Sequence, residues 1–351
     1  MSTQHHALRS ASLIAALAAL MGATSMSATA QSSVIIYGIL DMYVQYGRGN
    51  RTETAIQSGG ISSSRLGFKG SEDLGDGNKA VFVLESGILA DTGAYAQGGL
   101  PFGRQAYVGL SSSTHGSLTL GRQYVPQYNT LDAADPFGTG AGSAAESGVV
   151  STISRANNSV LYTSPNLGSF SAKGMVALGE IGTAGSQSNG NLYAGSVKYA
   201  PGALTLEAAV SQFKRATNAA PDVYFGLLTA GYDFGIFKLT GGYQRVNNLG
   251  GNPAQDRDEA FAGVLVPVGN DTFSAGIGAG RAKDVDGSTA SQWTLGYTHP
   301  LTKRTKLYAF ATHINNGSAT AYTATAATGL GPTTSAGRDV SALLLGIRHA
   351  F

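Results

Sequence analysis

The stretch "SALLLGIRHAF" (residues 341–351) decides the fold of this chain. Read in steps of two, one set of its residues is apolar or aromatic apart from one histidine: Leu343, Leu345, Ile347, His349 and Phe351. The alternate set contains small residues, a leucine and the charged Arg348. A period of two indicates an extended strand with two unlike faces. The stretch therefore predicts a strand whose apolar face must be buried against other residues or lipid. The rest of the chain indicates which of the two it is.

The same two-residue alternation recurs along most of the chain. In "VIIYGILDMYVQY" (34–46), Val34 and Ile36 share one face, and Asp41 and Tyr43 share the other. Many of these segments approach the roughly 9–11 residues that a tilted strand needs to cross a bilayer. Sixteen strands are predicted, at 34–46, 61–70, 79–87, 103–111, 117–124, 155–163, 169–179, 191–199, 204–211, 224–232, 236–245, 258–266, 272–281, 291–298, 305–313 and 340–351.

The connections between the predicted strands alternate in length. Short turns such as "SPNLG" and "DFG" alternate with long segments at 47–60, 88–102, 125–154, 180–190, 212–223, 246–257, 282–290 and 314–339. Such alternation is typical of a transmembrane β-barrel and is not expected of a soluble β-sandwich. We therefore predict an all-β fold, a 16-stranded antiparallel transmembrane β-barrel with a water-filled interior and no free sheet edge. Phe351 would lie on its lipid face, in an aromatic girdle at the periplasmic interface.

Residues 1–30 have the features of a cleaved secretory signal peptide. Arg9 supplies a positive charge, and Ala28-Thr29-Ala30 is a small-residue cleavage site. The apolar run between them is too short for a membrane helix. We expect residues 31–351 to form a single domain, which contains no apolar run of the roughly eighteen residues that a transmembrane helix needs.

Composition excludes several classes of function. Without Arg9 the chain has 22 basic and 21 acidic residues, which is not the balance of a nucleic-acid-binding protein. Cysteine is absent, which excludes disulfides and thiolate metal sites. The histidines of residues 31–351 are scattered and no nucleophile motif is present, so we expect no metal, no cofactor and no enzymatic activity.

Several stretches resemble one family of outer-membrane proteins. They are "SSVIIYGILD", "SSRLGFKGSEDLGDGNKAVFVLESG", "RQAYVGLSS", "GSLTLGRQY", "NNSVLYTSPNLGSF" and "GIRHAF". On these stretches the chain resembles the trimeric general diffusion porins of Gram-negative outer membranes, most closely the betaproteobacterial type. The resemblance implies sixteen strands, a homotrimer in outer-membrane lipid, and a third loop folded into a pore for passive diffusion of small hydrophilic solutes and ions. It also implies that Phe351 belongs to a sorting signal read by the outer-membrane assembly machinery.

The longest connection before the sixth predicted strand is the candidate third loop. Thirty structureless residues are unusual inside a compact domain and point to a function. The centre of this loop, Asp135-Pro136-Phe137-Gly138, is similar to an acidic turn of the family but lacks a glutamate between the proline and the phenylalanine. The resemblance implies that Asp132 and Asp135 supply the acidic side of a pore constriction. Pro136 and Gly138 would fix the turn, and Phe137 would anchor it against the barrel wall.

Basic residues at positions that match the family would form the opposite side of the constriction. They are Arg65, Arg122 and Arg155. By strand parity Lys69 shares the polar face of Arg65. An arginine on the lipid face at the membrane midplane costs about 2–4 kcal/mol, so the inward orientation is favoured. Arg104 and Lys173 are further inward candidates.

These side chains predict a channel that needs no chemistry. A basic wall opposite an acidic loop would set a transverse field across a polar slot, which favours water and small polar solutes over apolar ones. Three arginines against two aspartates favour a weak anion preference. The alternative is a solute-specific outer-membrane channel, which would need an aromatic slide or a dedicated ligand site along the pore.

One glycine-rich stretch suggests a different chemistry. "GIGAG" (276–280) is similar to a fragment of a nucleotide-binding loop. It lies within a predicted strand and has no helix after it, so a nucleotide site is not expected. We interpret its glycines as small residues that face lipid or a neighbouring subunit.

Overall fold

The computed structural model describes residues 33–180, 188–215, 220–325 and 331–351. The predicted signal peptide, 1–30, lies outside the described residues, as does the predicted first residue of the mature domain. Within these four ranges, no helix combines the length and the hydropathy that a membrane crossing requires.

One antiparallel sheet contains nearly all of the described secondary structure. Along each strand the side chains alternate between the two faces of the sheet, and most strands pair with the next strand of the chain. The strands are β1 (Ser33–Arg48), β2 (Thr52–Ser58), β3 (Arg65–Gly75), β4 (Asn78–Leu89), β5 (Ala94–Tyr95), β6 (Gln105–Ser112), β7 (Gly116–Tyr124), β8 (Arg155–Thr163), β9 (Phe170–Ala177), β10 (Leu192–Tyr199), β11 (Leu204–Phe213), β12 (Val223–Asp233), β13 (Lys238–Asn247), β14 (Arg257–Val268), β15 (Asp271–Ala282), β16 (Ala290–Pro300), β17 (Thr305–Asn316) and β18 (Val340–Ala350).

The sheet closes on itself through its first and last strands. β1 pairs with β18 from Ile39↔Ala350 to Arg48↔Ser341. On its other edge β1 pairs first with β3 and then with β2, so β2 and β3 are two segments of one barrel strand. The two-residue β5 pairs only with the end of β4. The described strands therefore form a closed 16-stranded antiparallel barrel, and the predicted fold class is confirmed.

The prediction was wrong about 47–60, which we expected to be a long loop. β1 continues to Arg48, and its upper half would be left without hydrogen-bond partners on one edge. Residues 52–58 supply those partners after a connection of three residues. The chain then leaves the sheet at 59–64 and resumes pairing at Arg65. Elsewhere connections of two to six residues alternate with longer ones, as predicted.

The two faces of the sheet have opposite character. On β1, Val34 and Ile36 are each 63 % exposed, whereas Asp41, Tyr43 and Gln45 are buried inside the barrel. An apolar outward face and a polar inward face are what a barrel in lipid requires. The predicted assignment of residues to the two faces of β1 is confirmed.

Aromatic rings gather at the short-turn end of the outward face. The stacked or tilted pairs there are Phe170 with Tyr199, Phe234 with Phe237, and Phe273 with Tyr297. Phe351 joins this end, because its N–H and its carbonyl each bond Gly38 at 3.0 Å. The ring of Phe351 lies over Gly38 and is 47 % exposed. Aromatic girdles of this kind mark a membrane interface.

The connection 125–154 is not structureless, so that expectation was wrong. It begins with a helix, α1 (Pro126–Ala134). Proline suits the first position of a helix because that residue needs no intrahelical N–H bond. The N–H of Asp135 donates to the carbonyl of Leu131 at 2.8 Å and closes the last turn.

Candidate pore constriction

The third loop, residues 125–154 and here called L3, lies inside the barrel. Polar side chains of the wall bond it along its length. The Gln127 side-chain amide donates to the Gln244 side chain at 2.5 Å, and the Thr130 hydroxyl donates to Glu207 at 2.7 Å. L3 is therefore fixed to the inner surface of β11 and β13 rather than exposed above the barrel.

A buried carboxylate, Glu259 on β14, fastens the end of L3. Its side chain is 1 % exposed. It accepts hydrogen bonds from the backbone N–H and the hydroxyl of Ser151, at 2.7 and 2.6 Å, and from the side-chain amide of Gln244 at 2.8 Å. Arg257 lies 3.0 Å away and balances the charge. Buried charges persist only when they are paired and hydrogen-bonded, as Glu259 is here.

The middle of L3 packs into a groove of glycines on β15. A Cβ added at Gly278 would lie 2.3 Å from the Cβ of Ala144. At Gly276 it would lie 2.7 Å from Cε2 of Phe137 and 3.1 Å from Cγ of Pro136. The first two separations are shorter than real Cβ atoms show and the third is tighter than most, so glycine lets L3 approach the wall this closely.

These glycines belong to "GIGAG", and our interpretation of that stretch was wrong. Gly276, Gly278 and Gly280 face the lumen and receive L3 instead of facing lipid or a second subunit. The outward positions of the same stretch are occupied by Ile277, which is 65 % exposed, and Ala279. Strand parity places these glycines on the inward face. Our interpretation placed them outward because the sequence shows no residue that would pack against them from inside the barrel.

A cavity of about 360 Å³ lies between the tip of L3 and the facing wall. The charged side chains that line it, among the described residues, are Arg65, Arg104 and Arg348 from the wall and Asp132 from L3. Positive charge therefore exceeds negative charge around this cavity. A slot of this kind would attract anions more strongly than cations.

Two of the wall residues are held in fixed positions. Nε of Arg104 donates to Glu85 at 2.8 Å, and both side chains are almost fully buried. The Tyr37 hydroxyl donates to the other oxygen of Glu85 at 2.9 Å. Nε of Arg65 donates to the backbone carbonyl of Ser63 at 2.9 Å. The guanidinium groups are thereby oriented before any ion arrives.

A tyrosine stack joins L3 to the wall beside these arginines. The rings of Tyr124 and Tyr128 are parallel, with centroids 5.0 Å apart. The guanidinium of Arg155 lies 4.4 Å from the Tyr124 ring, and Nη2 donates to the Tyr124 hydroxyl at 2.7 Å. Arg104 also donates to that hydroxyl. The aromatic faces thus hold two cations next to the cavity.

The carboxyl groups of L3 have raised pKa values. Burial raises the pKa of Asp132, although the Thr139 hydroxyl, which donates to it at 2.5 Å, opposes the change. Burial raises the pKa of Asp135 to about 6, against the stabilising hydrogen bond from the Ser143 hydroxyl. Burial, followed by the nearby charge of Asp135, raises the pKa of Glu146 to about 7. Asp132 lines the cavity, whereas Asp135 and Glu146 do not. L3 as a whole loses negative charge as Asp135 and Glu146 take up protons in mildly acidic solution.

The comparison with known families decides what kind of barrel this is. A sequence model described as Gram-negative porin matches residues 16–319. The chain belongs to the Gram-negative porin family. Porins are channels of the outer membrane rather than enzymes, and the resemblance inferred from the sequence is confirmed.

Individual porins agree with this assignment. Outer membrane porin protein 32 of Delftia acidovorans is 36 % identical, over 94 % of this chain and 97 % of its own length. An outer membrane porin protein of Bordetella pertussis is 32 % identical, over 85 % of this chain and 93 % of its own length. The solved anion-selective porin from Comamonas acidovorans superposes with a TM-score of 0.79 at 31 % identity, covering 92 % of this chain and all of that one. This porin is accordingly an outer-membrane protein.

The structure brings some of the predicted constriction residues of the porin together. Arg65 and Asp132 line the same cavity. Arg155 lies beside it through its contact with Tyr124. In the predicted turn, Gly138 lines the cavity with a φ of +56°, which suits glycine.

The other predicted residues lie elsewhere. Asp135 is turned into L3, where it accepts from the N–H of Phe137 at 2.8 Å. Lys69 lies over the Tyr37 ring at 5.1 Å and does not line the cavity. Arg122 pairs with Ala106 on β6 and donates to the carbonyl of Gly103 at 2.8 Å, outside the cavity. The register shift beside Arg122 puts its extra residue in β8, so Arg122 keeps the strand parity of Leu118 and Leu120, which are exposed on the outer face.

Phe137 and Pro136 contact the wall. Phe137 is 8 % exposed and packs edge-on against Phe310, with ring centroids 5.5 Å apart. Pro136 approaches the glycines of β14 and β15. The anchoring role of both residues in the pore remains a prediction.

Among the cavity residues that sequence reasoning missed are Arg348, Tyr124 and Tyr128. Arg348 could have been found, because it alternates with the outward Phe351 in the last strand and must therefore face inward. The tyrosine stack could not, because it joins a strand end to a helix whose presence was not predicted.

Proposed function

We propose that this porin is a general diffusion channel whose narrowest part is the cavity between Arg65, Arg104, Arg348 and Asp132, and that it passes small hydrophilic solutes and ions with a weak preference for anions. The observation that carries this proposal is the excess of arginines over carboxylates around that cavity. With a Debye length of about 8 Å at physiological ionic strength, a passing ion is governed by the charges nearest to it. The anion-selective title of the Comamonas porin supports the same direction.

Water and polar solutes cross without a chemical step. The arginines and Asp132 face each other across the slot, so a polar solute can align its dipole there while an apolar solute cannot. Arg155 adds positive charge beside the cavity, whereas Lys69, which lies over the Tyr37 ring outside the cavity, contributes little. Asp135, Pro136, Phe137 and Gly138 keep L3 in place, and Arg122 contributes little because it lies outside the cavity.

The porin acts as a homotrimer in outer-membrane lipid. Large apolar residues remain exposed on the outward face of β1, and Val34, Ile36 and Leu40 suit either lipid or a second copy of the chain. Phe351 is half-exposed beside them, which leaves its ring available to the outer-membrane assembly machinery.

Recordings from the refolded residues 31–351 in a planar lipid bilayer test the proposal. We expect large ohmic conductance steps that close in thirds, and a reversal potential under a salt gradient with the sign of anion preference. A cation-selective reversal potential would contradict the role of the three arginines. Flux that saturates with one solute and is inhibited by it would instead favour the solute-specific channel.

Acidification is expected to strengthen the anion preference. Between pH 8 and pH 5 the carboxyls of Glu146 and Asp135 take up protons, because their pKa values are raised to about 7 and about 6. Loss of negative charge should raise the anion-to-cation permeability ratio about twofold. Reversal potentials measured across this pH range check it, with Glu146→Gln expected to flatten the upper part of the change. A permeability ratio that stays constant from pH 8 to pH 5 would show that neither group acts on the pore.

The same carboxyls predict how stability depends on pH. Both pKa values lie above the ordinary range, so the folded porin binds these protons more tightly than the unfolded chain. Their contribution to stability is therefore complete below about pH 4 and is lost as the pH rises through 6 and 7. Thermal unfolding of the porin and of Glu146→Gln across this range measures the contribution, and the variant should lose less stability between pH 5 and pH 8.

A further inference from the structure

A short inward segment interrupts the second strand of the barrel. Residues 59–64, "GGISSS", lie between β2 and β3 and leave the sheet instead of pairing with β1. Ile61, Ser62 and Ser63 of this segment line the constriction cavity. A break in a barrel strand exposes backbone groups that must find other partners. The residues that supply those partners therefore control where the segment lies.

Asp41 of β1 supplies several of them. Its side chain is 0 % exposed, and Oδ2 accepts from the backbone N–H of Ser62 at 2.8 Å. Its own N–H donates to the Ser64 hydroxyl at 3.0 Å, and its carbonyl accepts from the N–H of Gly59 at 2.7 Å. One residue thus bonds the inward segment near its start, its middle and its end.

Tyr308 of β17 completes the arrangement from the other side. Its hydroxyl donates to Oδ1 of Asp41 at 2.5 Å. A Cβ on Gly60 would lie 1.7 Å from the same hydroxyl, so the segment passes directly against Tyr308. The tyrosine is 3 % exposed and cannot exchange this bond for one to water.

The inward segment in turn orients two arginines of the constriction. Ser63 accepts from Nε of Arg65 through its backbone carbonyl at 2.9 Å. The Ser62 hydroxyl accepts from Nε of Arg348 at 3.2 Å. The segment also holds L3, because the N–H of Ala141 donates to the carbonyl of Gly60 at 2.9 Å.

We infer that Asp41 and Tyr308 are positioning residues for ion selectivity, acting through the inward segment on Arg65, on Arg348 and on the tip of L3. The inference rests on the proposed role of these arginines in anion preference. Neither Asp41 nor Tyr308 lines the cavity, so their effect on permeating ions is indirect. When the segment loosens, the two guanidinium groups lose their fixed acceptors and the field in the slot becomes weaker on average.

For Asp41, loss of the negative charge and loss of the positioning role are expected to change the anion preference in opposite directions. Removing its negative charge would by itself strengthen the anion preference, because a cation in the slot would lose an attractive partner. Loss of positioning would weaken the anion preference. Tyr308 carries no charge, so substitution of this residue reports on position alone.

The first test compares Tyr308→Phe with Tyr297→Phe. Each substitution removes one hydroxyl that donates to an aspartate, but Tyr297 bonds Asp271 at the short-turn end, away from the cavity. We expect Tyr308→Phe to lower the anion-to-cation permeability ratio about twofold and to increase open-channel noise, and Tyr297→Phe to change neither. An unchanged ratio in Tyr308→Phe would overturn the inference. Thermal unfolding of both folded variants separates a general loss of stability from the loss of selectivity.

Asp41→Asn is the second test. It tests the inference even if the Tyr308→Phe variant does not fold. A lower permeability ratio supports positioning, and a higher ratio overturns it in favour of a simple charge effect. Arg65→Gln is recorded beside it to separate this inference from the proposed function. If Arg65→Gln leaves the ratio unchanged, the proposed function fails; if only the Arg65 variant lowers the ratio, the positioning inference fails.

Discussion

Replacing Gly278 with valine is expected to lower the single-channel conductance about two- to threefold, because L3 lies between β15 and the slot, and a larger side chain behind L3 moves it toward the arginines of the facing wall. A Cβ at Gly278 already falls 2.3 Å from the Cβ of Ala144, and valine adds two more methyl groups in that space. Overpacking of this kind costs about 1–3 kcal/mol, which L3 can relieve by moving away from β15 into the lumen. Planar-bilayer recordings of the folded variant measure the change.

Two comparisons establish that the effect comes from this contact. Gly226→Val introduces the same side chain on β12, where nothing lies within 4 Å of the added Cβ, and should leave the conductance unchanged. The smaller Gly278→Ala should be rescued by Ala144→Gly, since the clash joins those two Cβ atoms. Wild-type conductance in a folded Gly278→Val porin would mean that L3 does not limit the pore.

Replacing Arg65 with glutamate is expected to reverse the ion preference of the porin. The substitution changes the charge of the cavity lining by two units and leaves two arginines against two carboxylates, with Arg104 already paired with Glu85. A unit charge about 4 Å from an ion contributes about 1 kcal/mol in water, so the permeability ratio should change about tenfold or more. The sign of the reversal potential under a salt gradient reads this out directly.

Two variants with changed charges elsewhere provide the controls. Lys303→Glu makes the same charge change in an exposed short turn. Arg122→Gln removes an arginine that the sequence predicts at the constriction but the structure places outside the cavity. Both should keep the anion preference. A reversal in Lys303→Glu equal to that in Arg65→Glu would mean that net charge, and not the cavity, decides selectivity.

The barrel could be predicted from the sequence because its determinants are local. Within each strand, the alternation of apolar and polar residues predicts which side chains face outward and which face inward. On β1, Val34 and Ile36 lie on one face, and Asp41 and Tyr43 lie on the other. Closure then follows from the need to pair every backbone group in lipid. The prediction missed β2, whose pairing depends on how far β1 extends.

The constriction was less predictable because its contacts join residues that are far apart in the chain. Ala144 contacts Gly278, and Arg348 contacts Ser62. In each pair, the sequence around one residue gives no indication of the residue that it contacts. The family resemblance suggested Arg65 and Asp132 for this site. It misplaced Arg122, which has the strand parity of the exposed Leu118 and Leu120 and does not line the cavity.

The glycine groove also limits how the protein can change over generations. Surface loops generally tolerate changes of length better than packed elements do. At this contact β15 already has glycine, so a larger side chain on β15 needs a matching loss of volume on L3, where Ala144 faces Gly278. L3 and β15 can therefore diverge at this contact only as a pair, and the position of L3 in the lumen is inherited with both.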